Sequence, residues 1–137
     1  MEEYVSVLVV EQSLEDKGVL TNAGFVLGLT AGRELPAAAF GGEVVDGDGA
    51  SHKYLTNIGH YVRKAGQSKM RELRAKLAGN PDVKVVDYTE DAAPADYASY
   101  ARALASHKGE EIKYRALYLY GPKDAVFPLT KNLSRLS

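Results

Sequence analysis

The sequence predicts an α/β domain, and three observations carry that prediction. Runs with the pattern of strands alternate with runs of helical period along the chain. Residues 4–10 (Tyr-Val-Ser-Val-Leu-Val-Val) are apolar almost without interruption, as expected of a central strand covered on both faces. The order of elements is strand, helix, hairpin, strand, helix, strand, helix, strand, helix, which argues for a mainly parallel sheet with helices on both faces. The chain is 137 residues long, within the usual span of a domain, so residues 1–137 read as a single domain.

Each element has its own signal. After the first strand, residues 18–32 form a helix that is apolar nearly all round (Leu20, Phe25, Val26, Leu27, Leu29), the mark of burial on more than one side. Gly24, Gly28 and Gly32 recur every fourth residue and form a smooth ridge. Glycine costs about 1 kcal/mol inside a helix, so the ridge is expected to allow close packing against the sheet or a second helix. Val44-Val45 and Tyr54-Leu55 flank Asp46-Gly47-Asp48-Gly49 as a hairpin, because Asp-Gly accepts positive φ. Residues 58–64 form a second principal strand. A helix follows, opened by Ser68, closed by Gly79 and striped by Met70, Leu73 and Leu77. Residues 83–88 form a third strand.

Pro94 fits the first position of the next helix, with Asp96 in its first turn. Tyr97, Tyr100, Ala101, Leu104 and Ala105 keep the helical period, and Lys108-Gly109 ends it. Residues 112–120 form the last strand, with Ile112, Tyr114, Ala116, Tyr118 and Tyr120 on one face. Gly121-Pro122 turns the chain and suits an antiparallel member, which makes the sheet mixed. Val126, Phe127, Leu129, Leu133 and Leu136 suit a short final helix.

Composition narrows the chemistry. There is no cysteine, which excludes disulfides and cysteine-based zinc sites. Seventeen basic against eighteen acidic residues leave a net charge of −1 and no global positive field for coating nucleic acid. The start, Met1-Glu2-Glu3, is acidic where a signal peptide opens basic. The longest mostly apolar stretch, 23–31, is about half of the ~20 residues a membrane span takes. A cytoplasmic protein without a membrane partner is the expectation.

Ligands of open α/β sheets sit outside the carboxyl ends of parallel strands. Those ends bring together Lys17, Asn22, Lys64, Asp87, Thr89 and Glu90. A lysine opposite a carboxylate is a usable acid/base pair once burial shifts the two; ordinary loop ion pairs are the structural alternative. Asp46-Gly47-Asp48-Gly49 does not continue as a calcium loop, because its fifth and twelfth positions are Ala50 and Asn57. His52, His60 and His107 lack ligand spacing, and neither a nucleophile elbow nor a Walker loop occurs. No metal and no cofactor are expected. Charge is nonetheless uneven. Residues 63–76 carry six basic residues, among them Lys69, Arg71, Arg74 and Lys76, against Glu72 alone. This is either a solvated helix face or a local contact for RNA phosphate.

Residues 117–126 (Leu-Tyr-Leu-Tyr-Gly-Pro-Lys-Asp-Ala-Val), followed by Leu129-Thr130-Lys131-Asn132-Leu133, resemble the closing strand, Gly-Pro turn and helix of class II peptidyl-tRNA hydrolase. Residues 58–77 resemble its second strand and following helix. Val7 to Val10, Lys17-Gly18 and Thr21-Asn22-Ala23 resemble its first strand, lysine-glycine turn and helix. A closer resemblance is to a bacterial family with that fold, catalogued as domain of unknown function 2000. It is carried by Leu20-Thr21-Asn22-Ala23-Gly24, by Val44-Val45-Asp46 running into Gly49, and by Asp96-Tyr97 with Tyr100-Ala101. The resemblance implies a three-layer α/β/α domain with a mixed sheet of about four strands. It matches Lys17 to the first lysine of the hydrolase's Lys-Gly-Lys, whereas Val19 replaces the second. It sets Asp87 and Thr89 against that family's acidic residue and threonine.

Three functions follow from these readings. The first is a small-molecule domain acting on an anionic or carbonyl ligand, with Lys17, Asp87 and Thr89 as catalytic groups and Gly18, Asn22 and Lys64 binding. The second is hydrolysis of peptidyl-tRNA, with the basic helix on RNA. The third is a homodimer or interaction domain built on tyrosine, since Tyr88, Tyr97, Tyr100, Tyr114, Tyr118 and Tyr120 are six of the nine.

Overall fold

The computed structural model describes residues 3–92 and 96–136. It contains β1 (Tyr4–Glu11), α1 (Lys17–Glu34), β2 (Val44–Val45), β3 (Ser51–His52), β4 (Gly59–Ala65), α2 (Gln67–Ala78), β5 (Lys84–Thr89), α3 (Tyr97–Ala105), β6 (Tyr114–Pro122), α4 (Lys123–Thr130) and β7 (Ser134–Arg135). The main sheet has the order β5-β6-β1-β4-β7, and β2-β3 form a separate two-stranded sheet. The α/β class is as the sequence predicts.

The sheet is mixed but not mostly parallel. Among the described residues only β1 and β4 pair parallel; β6 runs antiparallel to both β1 and β5, and β7 antiparallel to β4. The last strand, β6, is antiparallel as expected, but the expectation of a mainly parallel sheet fails where β6 is inserted between β5 and β1. There α3 lies chiefly against the turn at 90–92 instead of crossing the sheet. The chain therefore returns antiparallel, between β5 and β1. The fifth strand, β7, occupies residues expected to be helical, because α4 stops at Thr130.

The alternation of β1 builds two cores. Val5, Val7 and Val9 face α2 and α4, with Met70, Leu73, Leu77 and Val126. Val10 joins Ala23, Leu27 and Ala31 of α1 on the other face. β6 is buried almost throughout, as a central strand must be. Its predicted single face is broken at Arg115, the extra residue where Tyr88 pairs with Ala116 but Thr89 pairs with Tyr114. Tyr114 thereby turns to the α2 side, while Ala116, Tyr118 and Tyr120 stay on the α1 side. Gly121-Pro122 ends the strand itself and does not form a separate turn.

Other local differences have simple causes. α1 buries a single stripe, Ala23, Leu27 and Ala31, while Phe25 and Leu29 are 66% and 68% exposed; it is not buried on several sides. The hairpin turns through Asp46–Gly49 with Gly49 at φ +85°, but pairs Val44-Val45 with Ser51-His52, earlier than Tyr54-Leu55. Asp96 is the N-cap of α3 and so precedes its first turn. Pro94 lies outside the described residues.

Candidate functional site

The carboxyl ends of β1 and β4 are hydrogen-bonded to each other. Gln12 N donates to Ala65 O at 2.9 Å, and Asp16 caps α1 by accepting from Val19 N at 3.0 Å. Gln67 spans to β6, its side chain donating to Tyr114 O and accepting from Tyr114 N, both at 2.8 Å. Lys17 and Gly18 open α1 and are exposed. Asn22 is also exposed, and its Oδ1 accepts from the Tyr88 hydroxyl at 3.1 Å. Lys64 is half-buried beside β7.

Asp87 faces the opposite side of the sheet from Tyr88, because successive strand residues alternate. Its carboxylate accepts from Arg74 Nε at 2.9 Å, and that bond raises the guanidinium's pKa. Thr89 is buried, and its Oγ1 has no hydrogen-bond partner among the described residues. The structure therefore brings Asn22 to Tyr88 and Asp87 to Arg74, on opposite faces. The rest of the basic helix is also engaged within the chain. Lys69 and Lys76 flank Glu72 at 3.7 and 2.8 Å, and Arg71 donates to Ile112 O at 3.2 Å. Of the six singled-out tyrosines, Tyr88, Tyr114, Tyr118 and Tyr120 are core residues, and only Tyr97 is widely exposed.

A different group of residues converges on a cavity. A slot of about 310 Å³ lies between α1 and the α1-facing side of β1 and β4. Gly24, Gly28 and Gly32 form one wall, Leu8, His60 and Val62 the other, and Leu35 and Phe40 close an end. The glycine ridge lines this space. A Cβ at Gly24 would stand 3.5 Å from Leu8 Cδ2, an ordinary contact, and one at Gly28 or Gly32 would meet nothing within 4 Å. Close packing, the reading the ridge first suggests, does not explain the last two.

The slot is apolar except at one place. Ser6 Oγ is hydrogen-bonded to His60 Nδ1, and Thr56 Oγ1 to His60 Nε2. Register sets the first contact, since Ser6 sits beside His60 in the parallel ladder. The second depends on the chain after α1: Phe40 bridges to Thr56, Gly41 N donates to Leu55 O at 2.9 Å, and Asn57 N donates to Ala39 O at 2.8 Å. Burial lowers the His60 pKa, so the ring is neutral near pH 7 and can donate from one nitrogen while accepting at the other. Tyr118 also lines the slot; burial pushes its phenol up, and the neighbouring Ser6 hydroxyl pulls it partly back.

Ser6 and Thr56 were not among the residues the sequence singled out, and His60 was weighed there only as a metal ligand and set aside. The available signal was Ser6, the one small hydroxyl in the apolar run of the first strand. A larger cleft of about 850 Å³ lies at the amino edge, lined by Tyr4, Tyr120, Glu34, Asp82 and Lys84 among others. Its charged groups form no ion pair or side-chain hydrogen bond with one another, so it lacks the converging polar groups that mark the slot. Among the described residues no group of three or more His, Asp or Glu could hold a metal ion, and no helix is long and apolar enough to cross a membrane.

Known proteins agree with the fold and are silent on chemistry. A protein of unknown function, Atu0240 from Agrobacterium tumefaciens strain C58, has a solved structure similar to this one, with a TM-score of 0.80 at 16% identity over 100% of both chains. No curated protein matches the chain. Residues 6–136 match the family described as "Protein of unknown function (DUF2000)", and the chain belongs to that family.

Proposed function

We propose that this chain is a small-molecule domain whose site is the slot between α1 and β1–β4. The ligand class is a compact, largely apolar molecule with a carbonyl or hydroxyl head. One observation carries the reading: two helical glycines face open space across from a hydrogen-bonded Ser6–His60–Thr56 group. Glycine in mid-helix lowers stability, so two glycines that pack against nothing call for another reason to leave the space empty. The volume of about 310 Å³ is at the small end of ligand pockets, which run about 300–1,000 Å³. The carbonyl-binding function read from the sequence is kept, but moved from the strand carboxyl ends to the sheet face. The placement of α1 on one side and α2 and α4 on the other supports the three-layer, peptidyl-tRNA hydrolase II-like arrangement. For hydrolysis of peptidyl-tRNA itself, three of the four basic side chains of the helix are already paired with Glu72 or Asp87.

The test uses acetophenone, a ring bearing one carbonyl. Titrated into the wild-type protein, it should shift the amide resonances of Ser6, Gly28 and His60. Gly28→Leu, which fills the slot, should abolish those shifts without lowering the melting temperature. Equal binding by Gly28→Leu would remove the slot as the site.

A further inference from the structure

We propose that Ser6 is a nucleophile and His60 its base, so that the slot hydrolyses small esters with a compact apolar acyl group; this rests on the slot being the ligand site. The arrangement has the parts such chemistry requires, in positions the fold fixes. Ser6 is only 2% exposed, yet its side chain lines the slot, and its Oγ is bonded to a ring nitrogen of His60. In the tautomer that carries its proton on Nε2, His60 accepts from Ser6 at Nδ1 and donates to Thr56 Oγ1. Thr56 is thus a positioning residue: it holds the ring with its basic nitrogen toward Ser6, the task a third group performs in nucleophile–base systems. Tyr118 lines the slot on the same side of the sheet, near enough to Ser6 for that hydroxyl to lower its pKa, and is the donor assigned to the ester oxygen that becomes negative. His60 itself is exposed, which lets water reach the ring.

The steps balance within these groups and water. Ser6 Oγ bonds to the ester carbonyl carbon as its proton passes to His60 Nδ1. The carbonyl oxygen takes the electron pair and accepts from the Tyr118 hydroxyl. The bond to the alkoxy oxygen then breaks, and His60 returns the proton to release the alcohol. Water next attacks the acyl carbon, giving a proton to His60. Ser6 Oγ leaves with that proton, and a carboxylic acid is freed. The walls of Leu8, Phe40 and Val62 select a short apolar acyl chain, and the open glycine side admits it.

The experiment has three arms. Diisopropyl fluorophosphate should form one covalent adduct, mapped to Ser6 by peptide mass analysis and absent in Ser6→Ala. Turnover of p-nitrophenyl butyrate should fall about 100-fold in Ser6→Ala and His60→Ala; Thr56→Val should lower it and Thr56→Ser should restore it. Because the chain has no cysteine, Ser6→Cys introduces a single thiol. Its alkylation by iodoacetamide at pH 7 should slow about tenfold or more when His60→Ala is added. No adduct on Ser6, or turnover unaffected by Ser6→Ala, overturns the proposal, as does alkylation indifferent to His60. If acetophenone still shifts the slot resonances in that case, only catalysis has failed; if it does not, the binding site has failed too.

Discussion

Three glycines separate space that is kept open from space that is tightly filled. Gly28 and Gly32 sit inside α1 with nothing within 4 Å of an added Cβ. Alanine there gains helix propensity of up to about 1 kcal/mol per site and clashes with nothing, so Gly28→Ala and Gly32→Ala should each raise stability in urea denaturation. Gly121 is the reverse case. A Cβ there would stand 2.9 Å from Val83 Cγ2 and 3.3 Å from both Asp82 O and Val83 Cα. Two of those atoms are backbone and cannot give way cheaply, so Gly121→Ala should cost about 1–3 kcal/mol. A loss of stability in Gly28→Ala would show that the ridge touches something after all. Ser6 is informative at the same scale, because a hydroxyl in a buried strand needs a partner and finds His60.

At the scale of elements, helix α3 is short and its core contact slight, so its cap carries weight. Asp96 accepts from Ser99 N at 2.8 Å and from Ser99 Oγ at 3.0 Å. The bond from the Ser99 backbone, then that from its hydroxyl, hold the Asp96 carboxyl below the usual carboxylate range. A depressed carboxylate stabilises the folded state above its unfolded value, about 3.9, and that contribution is lost as pH falls through the lower folded value. The protection factors of α3 amides should therefore drop as pH falls below about 4, and Asp96→Asn should flatten that dependence while keeping the cap. Unchanged protection across that window in the wild type would mean the cap does not hold the helix. The kinds and rough bounds of the principal helices and strands were legible in the sequence because hydrophobic period is local. The antiparallel direction of the last strand was legible from Gly121-Pro122, but its place between β5 and β1 was not, since the same alternation serves a helix that crosses the sheet and one that, like α3, stays beside its edge. The bulge at Arg115 was hidden too, because an added residue in a run of tyrosines and leucines leaves the alternation looking intact. The slot failed to appear for a similar reason: Ser6 reads as one more residue of an apolar strand, and the pairing of Phe40 with Thr56, distant in sequence, brings the third member to His60.

For the molecule as a whole, both cores are built on the same two strands. Val5, Val7 and Val9 of β1 and Leu117 and Leu119 of β6 belong to one core, while Val10, Ala116, Tyr118 and Tyr120 belong to the other. Neither strand can leave one core without opening the other, which supports reading the chain as one cooperative domain. Leu73 in α2 and Leu27 in α1 are buried to 0% and 1% exposure, on opposite faces. Truncating either to alanine should cost about 2–5 kcal/mol. Each variant should still unfold in a single transition, with helical circular dichroism and tyrosine absorbance coinciding. Leu27 also lines the slot, so its truncation enlarges a cavity already present and the walls cannot collapse onto the gap. Its cost should therefore fall toward the upper part of that range. If Leu27→Ala instead melts in two steps, with the helical signal of α1 lost before the tyrosine signal of β6, the two faces fold separately. The slot would then belong to a helix that can lift away from the sheet, and not to a fixed wall.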